Sequence, residues 1–538
     1  MSEPWIQFKN WSFTYDNGYG PALDEINLTL YRGEKVLVLG ANASGKSTFV
    51  RALKNELGTG QFSGYSEGEI IRDHHNLQTI DGEPIIDAVD RQETTQQIAG
   101  IDWTHLDSQE EIMANYAKLS TGQRDIVRLM GGMDYDQSVF IFDEPLANLA
   151  PKTQQAFIDL LDDFSYANNA TIVLSGFRLE QTMYRPIDRV IVLNEGRVVF
   201  DGSVPNLLKS EVLPTFHIRE PLYVSAIRYS GYPLHQVRNI ENVNHIYGQG
   251  LKSTIEKWLL SIPHFVLPKS NERLLTFDEA TYQYPNSEEY TVDHLSVTFH
   301  KGEIVSVVGG NGAGKTTLSR ILNGELTLTS GRYYFHNDSD EANHHHRVTF
   351  IPHDPWERLT EKTIREQLTH AILEAGMAVS DYEERMHQSL QALGLHYAID
   401  LPIESLSYGQ QKRILLAQAL LFQSEVLIID EPTEGQDYYH YNELMQYIYT
   451  ISQRENILVL INSHDIDMAL EFTQRTLVLK KGHLIADTTP INVATNPQLI
   501  HDAELRPTNL YTFAKQIHLV DPYGFIDKFT NYNRAINQ

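Results

Sequence analysis

The sequence predicts an α/β, doubly wound domain built twice in one chain. Three observations predict it. Gly40 to Ser47 and Gly309 to Thr316 both fit the pattern Gly-x-x-x-x-Gly-Lys-Ser/Thr, and each follows a short β-branched run, "EKVLVLG" or "EIVSVVG", as expected of a buried parallel strand. The runs "SVFIFDEP" and "EVLIIDEP" are further buried strands, each ending in two carboxylates and a proline. The order of these features recurs, with "LSTGQ" at Leu119 answering "LSYGQ" at Leu406, so the period reads as a duplicated domain and not a solenoid unit.

The elements follow in order from those landmarks. A first copy is expected over 1–210, a joining segment over 211–270, a second copy over 271–500 and an aromatic-rich C-terminal extension over 501–538. In each copy the Gly-rich turn opens a helix near Lys46 or Lys315, and "ATIVLSG" and "ENILVLINSH" supply the strand after the carboxylates. The extension, "NLYTFAKQIHLVDPYGFIDKFTNYNRAINQ", is expected to pack against its own copy. His344 to His346, behind the acidic "NDSDEAN", read as a surface loop, because adjacent histidines cannot all point at one ion.

Composition removes several classes of function. The chain has 538 residues and a formal net charge of −27, with 43 Lys plus Arg against 70 Asp plus Glu. Such a surface repels phosphate backbones, so no nucleic-acid partner is expected. There are 0 cysteines, which excludes disulfides and cysteine-held zinc or iron–sulfur clusters. No stretch approaches the roughly 18–20 apolar residues of a membrane helix, and "MSEPWIQFKN" has no signal-peptide core, so no direct membrane insertion is expected.

The two Gly-rich turns carry the chemistry. Glycines let the backbone wrap a phosphate, and successive N–H groups with the helix N-terminus supply positive potential. The residues concerned are Gly40, Asn42, Ser44, Gly45, Lys46, Ser47 and Thr48 in the first copy. In the second they are Gly309, Asn311, Gly312, Gly314, Lys315, Thr316 and Thr317. Lys46 and Lys315 would reach the β- and γ-phosphates of ATP, while Ser47 and Thr316 would hold Mg²⁺ together with Asp143 and Asp430. The neighbouring Glu144 and Glu431 are the candidate bases for the attacking water.

With "LSTGQ" and "LSYGQ" added, the chain resembles the ATP-binding cassette (ABC) ATPases over residues 4–205 and 274–490. The resemblance implies two tandem P-loop ABC nucleotide-binding domains, each with a helical signature subdomain, facing head to tail. Each signature would close over the other copy's ATP: Ser407, Gly409 and Gln410 over the first loop, Ser120, Gly122 and Gln123 over the second. Thr121 and Tyr408 replace the family's third signature residue. Tyr15 and Tyr284 fall at its adenine-stacking position, and His464, in "INSHD", at its switch histidine.

Within that frame the copies diverge. The first copy reads "VLSGFR", which is expected to leave Gly176 at the switch position. The family's D-loop aspartate is Asp437 in the second copy and Ala150 in the first. Gln78 is the candidate glutamine-loop residue of the first copy, and His353 stands at that place in the second, where an imidazole would respond to pH near neutrality. The second site is therefore expected to hydrolyse, with Glu431 and His464, and the first mainly to hold nucleotide.

"DEPLANLAP", "HIREPLYVSAIRYSGYPL" and "VIVLNEGRVVFDGSVPNLLKS" are similar to the fused ATPase of energy-coupling-factor (ECF) importers. Long coiled coils, a charged helical linker, an iron–sulfur domain and a weakened second cassette mark other tandem branches, and none fits this chain. The resemblance implies a small transmembrane scaffold protein and a separate substrate-binding membrane subunit as partners. It also implies a place in the cytoplasm, peripheral on the inner face of the cell membrane, and uptake of a vitamin, metal or other micronutrient. The alternative is a soluble regulatory or stress ATPase with no transmembrane partner.

Overall fold

The computed structural model describes residues 3–16, 18, 20–58, 60–72, 139–146, 151–263, 271–285, 287, 289–336, 347–374, 382–432 and 437–537. The chain divides into two compact units, Met1–Leu251 and Lys252–Gln538.

The strands of the first unit are β1 (Pro4–Tyr15), β2 (Leu23–Tyr31), β3 (Lys35–Leu39), β4 (Gly64–Arg72), β5 (Val139–Phe142), β6 (Thr171–Gly176), β7 (Arg189–Asn194) and β8 (Arg197–Gly202). One sheet is antiparallel with order β2-β1-β4; the other has order β5-β6-β3-β7-β8, parallel but for β8. The second unit contains β9 (Arg273–Tyr282), β10 (Val292–His300), β11 (Ile304–Val308), β12 (Ser330–Phe335), β13 (Val348–Ile351), β14 (Val426–Asp430), β15 (Leu458–Ser463), β16 (Arg475–Lys480) and β17 (His483–Thr488). Its sheets run β10-β9-β12 and β13-β14-β15-β11-β16-β17.

Burial explains this layering. β5 and β11 are buried at every residue, and β3 at all but Lys35, as parallel strands covered on both faces must be. β17 alternates exposed and half-buried positions, as suits an antiparallel edge with one wet face. The two sheets of each unit are tied by the same device. Arg189 clasps Asp201 through Nε and Nη2 at 2.5 and 2.6 Å and donates to Thr29 O at 2.7 Å; Arg475 clasps Asp487 at 2.7 and 2.6 Å and donates to Thr298 O at 2.9 Å. A planar fork fixed on a carboxylate sets orientation as well as charge.

In the second unit the helices Ile364–Glu374, Tyr382–Ala392 and Tyr408–Phe422 form a subdomain whose core includes Leu368, Met386, Leu390 and Leu416. The corresponding stretch of the first copy lies outside the described residues. The joining segment is folded: the helix Leu222–Tyr229 is buried over most of its length, and Tyr223 Oη donates to Ile240 O at 2.5 Å. The C-terminal helix Pro522–Asn537 packs on the helix Ile466–Phe472, with Arg534 Nε donating to Glu471 O at 2.8 Å. No described helix is long and apolar enough to cross a membrane.

Candidate nucleotide sites

In each unit the central strand, β3 or β11, runs straight into its Gly-rich turn. Close approach demands the first glycine: a Cβ on Gly40 would stand 2.5 Å from Leu193 O, and one on Gly309 2.4 Å from Leu479 O. Gly45 and Gly314 have φ of 100° and 104°, a left-handed conformation that glycine adopts without strain, and they open the helices Lys46–Lys54 and Lys315–Leu322. Asn42 and Ser44 in one loop, and Asn311 and Gly312 in the other, complete the turns. Lys46 Nζ folds back to donate to Gly40 O (3.0 Å) and Ala41 O (2.9 Å); Lys315 Nζ does the same to Gly309 O (2.7 Å) and Gly310 O (3.3 Å). Lysine and helix N-terminus together make a ready anion site.

Beside the loops, Tyr15 and Tyr284 are half-buried. Tyr15 Oη lies 3.2 Å from Thr48 Oγ1, and Tyr284 Oη 3.3 Å from Thr317 Oγ1. Each ring is buttressed edge-on by the aromatic residue two positions earlier, Phe13 or Tyr282, at 5.0 Å between centroids. A hydroxyl anchored to the loop helix fixes the ring's position and leaves part of it open.

The carboxylates of the second unit sit at the end of β14. Thr316 Oγ1 donates to Asp430 Oδ2 at 3.2 Å, so the hydroxyl and carboxylate read as a Mg²⁺ pair stand together. Glu431, with φ of 41°, is gripped at both oxygens: Ser463 Oγ donates to Oε2 at 3.1 Å, and His464 Nδ1 lies 3.0 Å from Oε1. Burial pushes the Glu431 carboxyl up, but His464, Lys315 and Ser463 together outweigh it and hold it below the ordinary glutamate value. Asp430 goes the other way, raised by burial and by the charge of Glu431.

The first unit builds the same corner differently. Ser175 Oγ donates to Asp143 Oδ1 at 2.5 Å and accepts from Glu144 N at 2.9 Å. Glu144, with φ of 48°, has Lys46 Nζ 3.7 Å from its Oε1. Burial raises its carboxyl, the Lys46 charge opposes, and Asp143 pushes it further up. Lys46 is 4% exposed and lies 4.2 Å above the ring of Phe177.

Strand register corrects one sequence reading. Leu39 pairs with Gly176, and Val308 pairs with Ser463, so Gly176 answers Ser463 and Phe177 answers His464. The switch position of the first copy is therefore a phenyl ring, not a glycine. Matching the serine of "LSG" to that of "NSH" slid the strand by one residue. A signal for the right register was present: Asn169 and Asn456, both left-handed with φ of 50° and 55°, stand just before the two strands. Counting from them brings Phe177 to His464 without a gap. Ser175 and Asn462, missed in the sequence, then occupy one place, and both bond the strand-end aspartate, Asp143 or Asp430.

In the second unit Ser407 caps the helix Tyr408–Phe422 by a capping box, accepting from Gln410 N at 3.3 Å while Ser407 N donates to Gln410 Oε1 at 2.8 Å. Gly409 is buried in its first turn. Tyr408 Oη reaches over to donate to His353 O, so the substituted signature position is tied to the segment after β13. Asp437, 2% exposed, caps the helix Tyr438–Glu455 and accepts from both N and Nδ1 of His440, at 2.9 and 2.8 Å. Such a cap contributes about 0.5–2 kcal/mol. Gln78, Ser120, Gly122, Gln123 and Ala150 lie outside the described residues.

Twin phosphate loops, each with a strand-end carboxylate pair, define a duplicated P-loop nucleotide-binding protein. Family comparison narrows the class. The family model described as "ABC transporter" matches residues 23–147 and 292–434, and one described as "ATP-binding cassette cobalt transporter" matches residues 210–282. An ABC transporter ATP-binding protein of Enterococcus faecalis is 34% identical, with 100% of both chains covered. Another, of Lactiplantibacillus plantarum, is 31% identical over 99% of this chain and 100% of its own. Among solved structures, cbiO1 from Clostridium perfringens, described as part of the ABC transporter complex cbiONQ, is 26% identical over 47% of this chain and 100% of its own, with a TM-score of 0.40. The chain belongs to the ABC transporter ATP-binding proteins and is an ABC-type ATPase whose cassettes bind ATP.

Proposed function

We propose that the chain is the ATP-hydrolysing subunit of an ECF-like importer, powering uptake of a vitamin, metal or other micronutrient through a small transmembrane scaffold and a separate substrate-binding subunit. The observation that carries this reading is the match of residues 210–282, outside the phosphate sites, to the model described as a cobalt transporter cassette. The second unit also offers a place for a partner. A cavity of about 460 Å³ opens between Phe350 on β13 and the helix Ile364–Glu374, bordered by Glu357, Gln367, His370 and Leu415. Two of its lining residues, Phe350 and Glu357, flank His353 in the chain, and a short basic helix of the scaffold would suit both its polar rim and the charge of −27. The chain would then work from the cytoplasmic face, peripheral to the membrane.

At the second site Lys315 binds the phosphates, Thr316 and Asp430 would hold Mg²⁺, and Glu431, kept ionised and oriented by His464, takes the proton of the attacking water. Mg²⁺ would supply charge neutralisation between the phosphates there. Ser47 and Asp143 would play the metal-holding part at the first site, where Glu144 lacks an imidazole beside it. Purification of the tagged chain from its native membranes tests the transport reading: a small integral membrane protein should accompany it, and its absence overturns the proposal.

A further inference from the structure

The C-terminal extension reaches the second phosphate loop. After the helix Pro497–Asp502 the chain turns at Glu504, whose φ of 54° is left-handed and unusual for a side chain of this size. The turn is fixed on both sides. Ala503 and Leu505 are buried, Glu504 N donates to His501 O at 3.2 Å, and Leu505 N donates to Ile500 O at 2.9 Å. Two residues earlier, Asp502 is held by Lys480 Nζ at 2.7 Å, at the end of β16.

This geometry lays the Glu504 side chain against Gly310. A Cβ on Gly310 would stand 2.5 Å from Glu504 Oε2, 2.9 Å from its Cδ and 3.2 Å from its Cβ. Gly310 is not among the left-handed glycines of the chain, so its backbone would accept another residue, and a side chain there would have to push the Glu504 carboxylate aside. The first loop carries a methyl at the corresponding place, Ala41. Moreover, the carbonyl of Gly310 is one of the two that receive Lys315 Nζ. A carboxylate thus lies against the residue whose carbonyl accepts from the phosphate-binding lysine, at a position where the first loop has Ala41 in place of glycine.

We propose that Glu504 is a tuning residue of the second site, whose negative charge lowers the affinity of that loop for nucleotide phosphates and so favours release of ADP after hydrolysis. The field of an exposed carboxylate near an anion site is worth a small factor in binding, and it is screened by salt, which a purely structural contact is not. The proposal deepens the reading of the second site as the working one, yet its test uses binding alone and can fail separately from it.

The test is calorimetric titration of ADP into the full chain carrying Lys46→Ala, so that the second loop reports. Adding Glu504→Gln, which keeps the shape and removes the charge, should tighten binding about two- to fivefold at low salt, and Glu504→Lys should tighten it further. Both gains should fade as ionic strength rises toward about 1 M, where the screening length falls to roughly 3 Å. Unchanged or weaker binding for Glu504→Gln at low salt, or a gain that persists at high salt, overturns the proposal.

Discussion

The first and second phosphate sites share a loop, a lysine contact pattern and an anchored tyrosine, and they part at the residue after β6 or β15. In the second unit an imidazole holds Glu431 and leaves Lys315 to the loop carbonyls. In the first, a phenyl ring cannot hold Glu144, and the carboxylate turns to Lys46 instead. The two carboxyls shift in opposite directions: His464, Lys315 and Ser463 together hold Glu431 below the ordinary glutamate value, whereas burial and the Asp143 charge lift Glu144 above it despite Lys46. A base must be aimed at water to be useful, and of the two carboxylates Glu431 is the one that a neighbouring imidazole and hydroxyl hold in place. The two sites thus differ in the residues beside the shared motif and not within it.

The sharpest way to break this comparison is to neutralise each carboxylate. Glu431→Gln keeps size and hydrogen bonding and should lower steady-state ATPase on the order of 10²–10⁴-fold, whereas Glu144→Gln should cost under about tenfold. If steady-state assays show Glu144→Gln to be the more damaging, the working site has been assigned backwards.

A smaller effect is expected from exchanging the residues beside those carboxylates. His464→Phe should reduce turnover on the order of 10–10²-fold, since Glu431 loses a hydrogen bond and an oriented cation or dipole. Phe177→His, placed in the Glu431→Gln chain, should raise the residual turnover several-fold, and that gain should vanish when Glu144→Gln is added. Single-turnover measurements that show no gain would mean that Phe177 does not limit the first site, Ala150 being the next candidate.

The smallest effect concerns stability, and its sign differs between the sites. A carboxyl raised in the folded state makes ionisation costly there: from pH 4.5 upward, through the folded value, stability is lost, and Glu144→Gln restores it. A depressed carboxyl does the reverse. Glu431 contributes stability above pH 4.5 that disappears as pH falls through its folded value, and Glu431→Gln forfeits it. At pH 7 the unfolding temperature of the nucleotide-free chain should rise by about one to four degrees for Glu144→Gln and fall by a similar amount for Glu431→Gln. Calorimetric scans showing shifts of the same sign would mean that the two environments are alike after all.

Sequence by itself determined a great deal here, because phosphate binding leaves a local trace. Gly45 and Gly314 need a left-handed backbone, Gly40 and Gly309 need an absent side chain, and the lysine must follow at once, so the motif is contiguous and readable. The buried strands were legible for a similar reason, since a strand covered on both faces is apolar over most of its length. Tertiary structure decided what depends on residues far apart in the chain. Which residues of the β6 end stand beside Glu144 is set by the pairing of β5 with β6, and a slip of one position in reading turned Phe177 into Gly176. The approach of Glu504 to Gly310 joins residues nearly two hundred positions apart, through a turn that no local pattern announces. Local backbone demands are written in neighbouring residues, whereas register and long-range contact are fixed only when the sheets close and the extension packs.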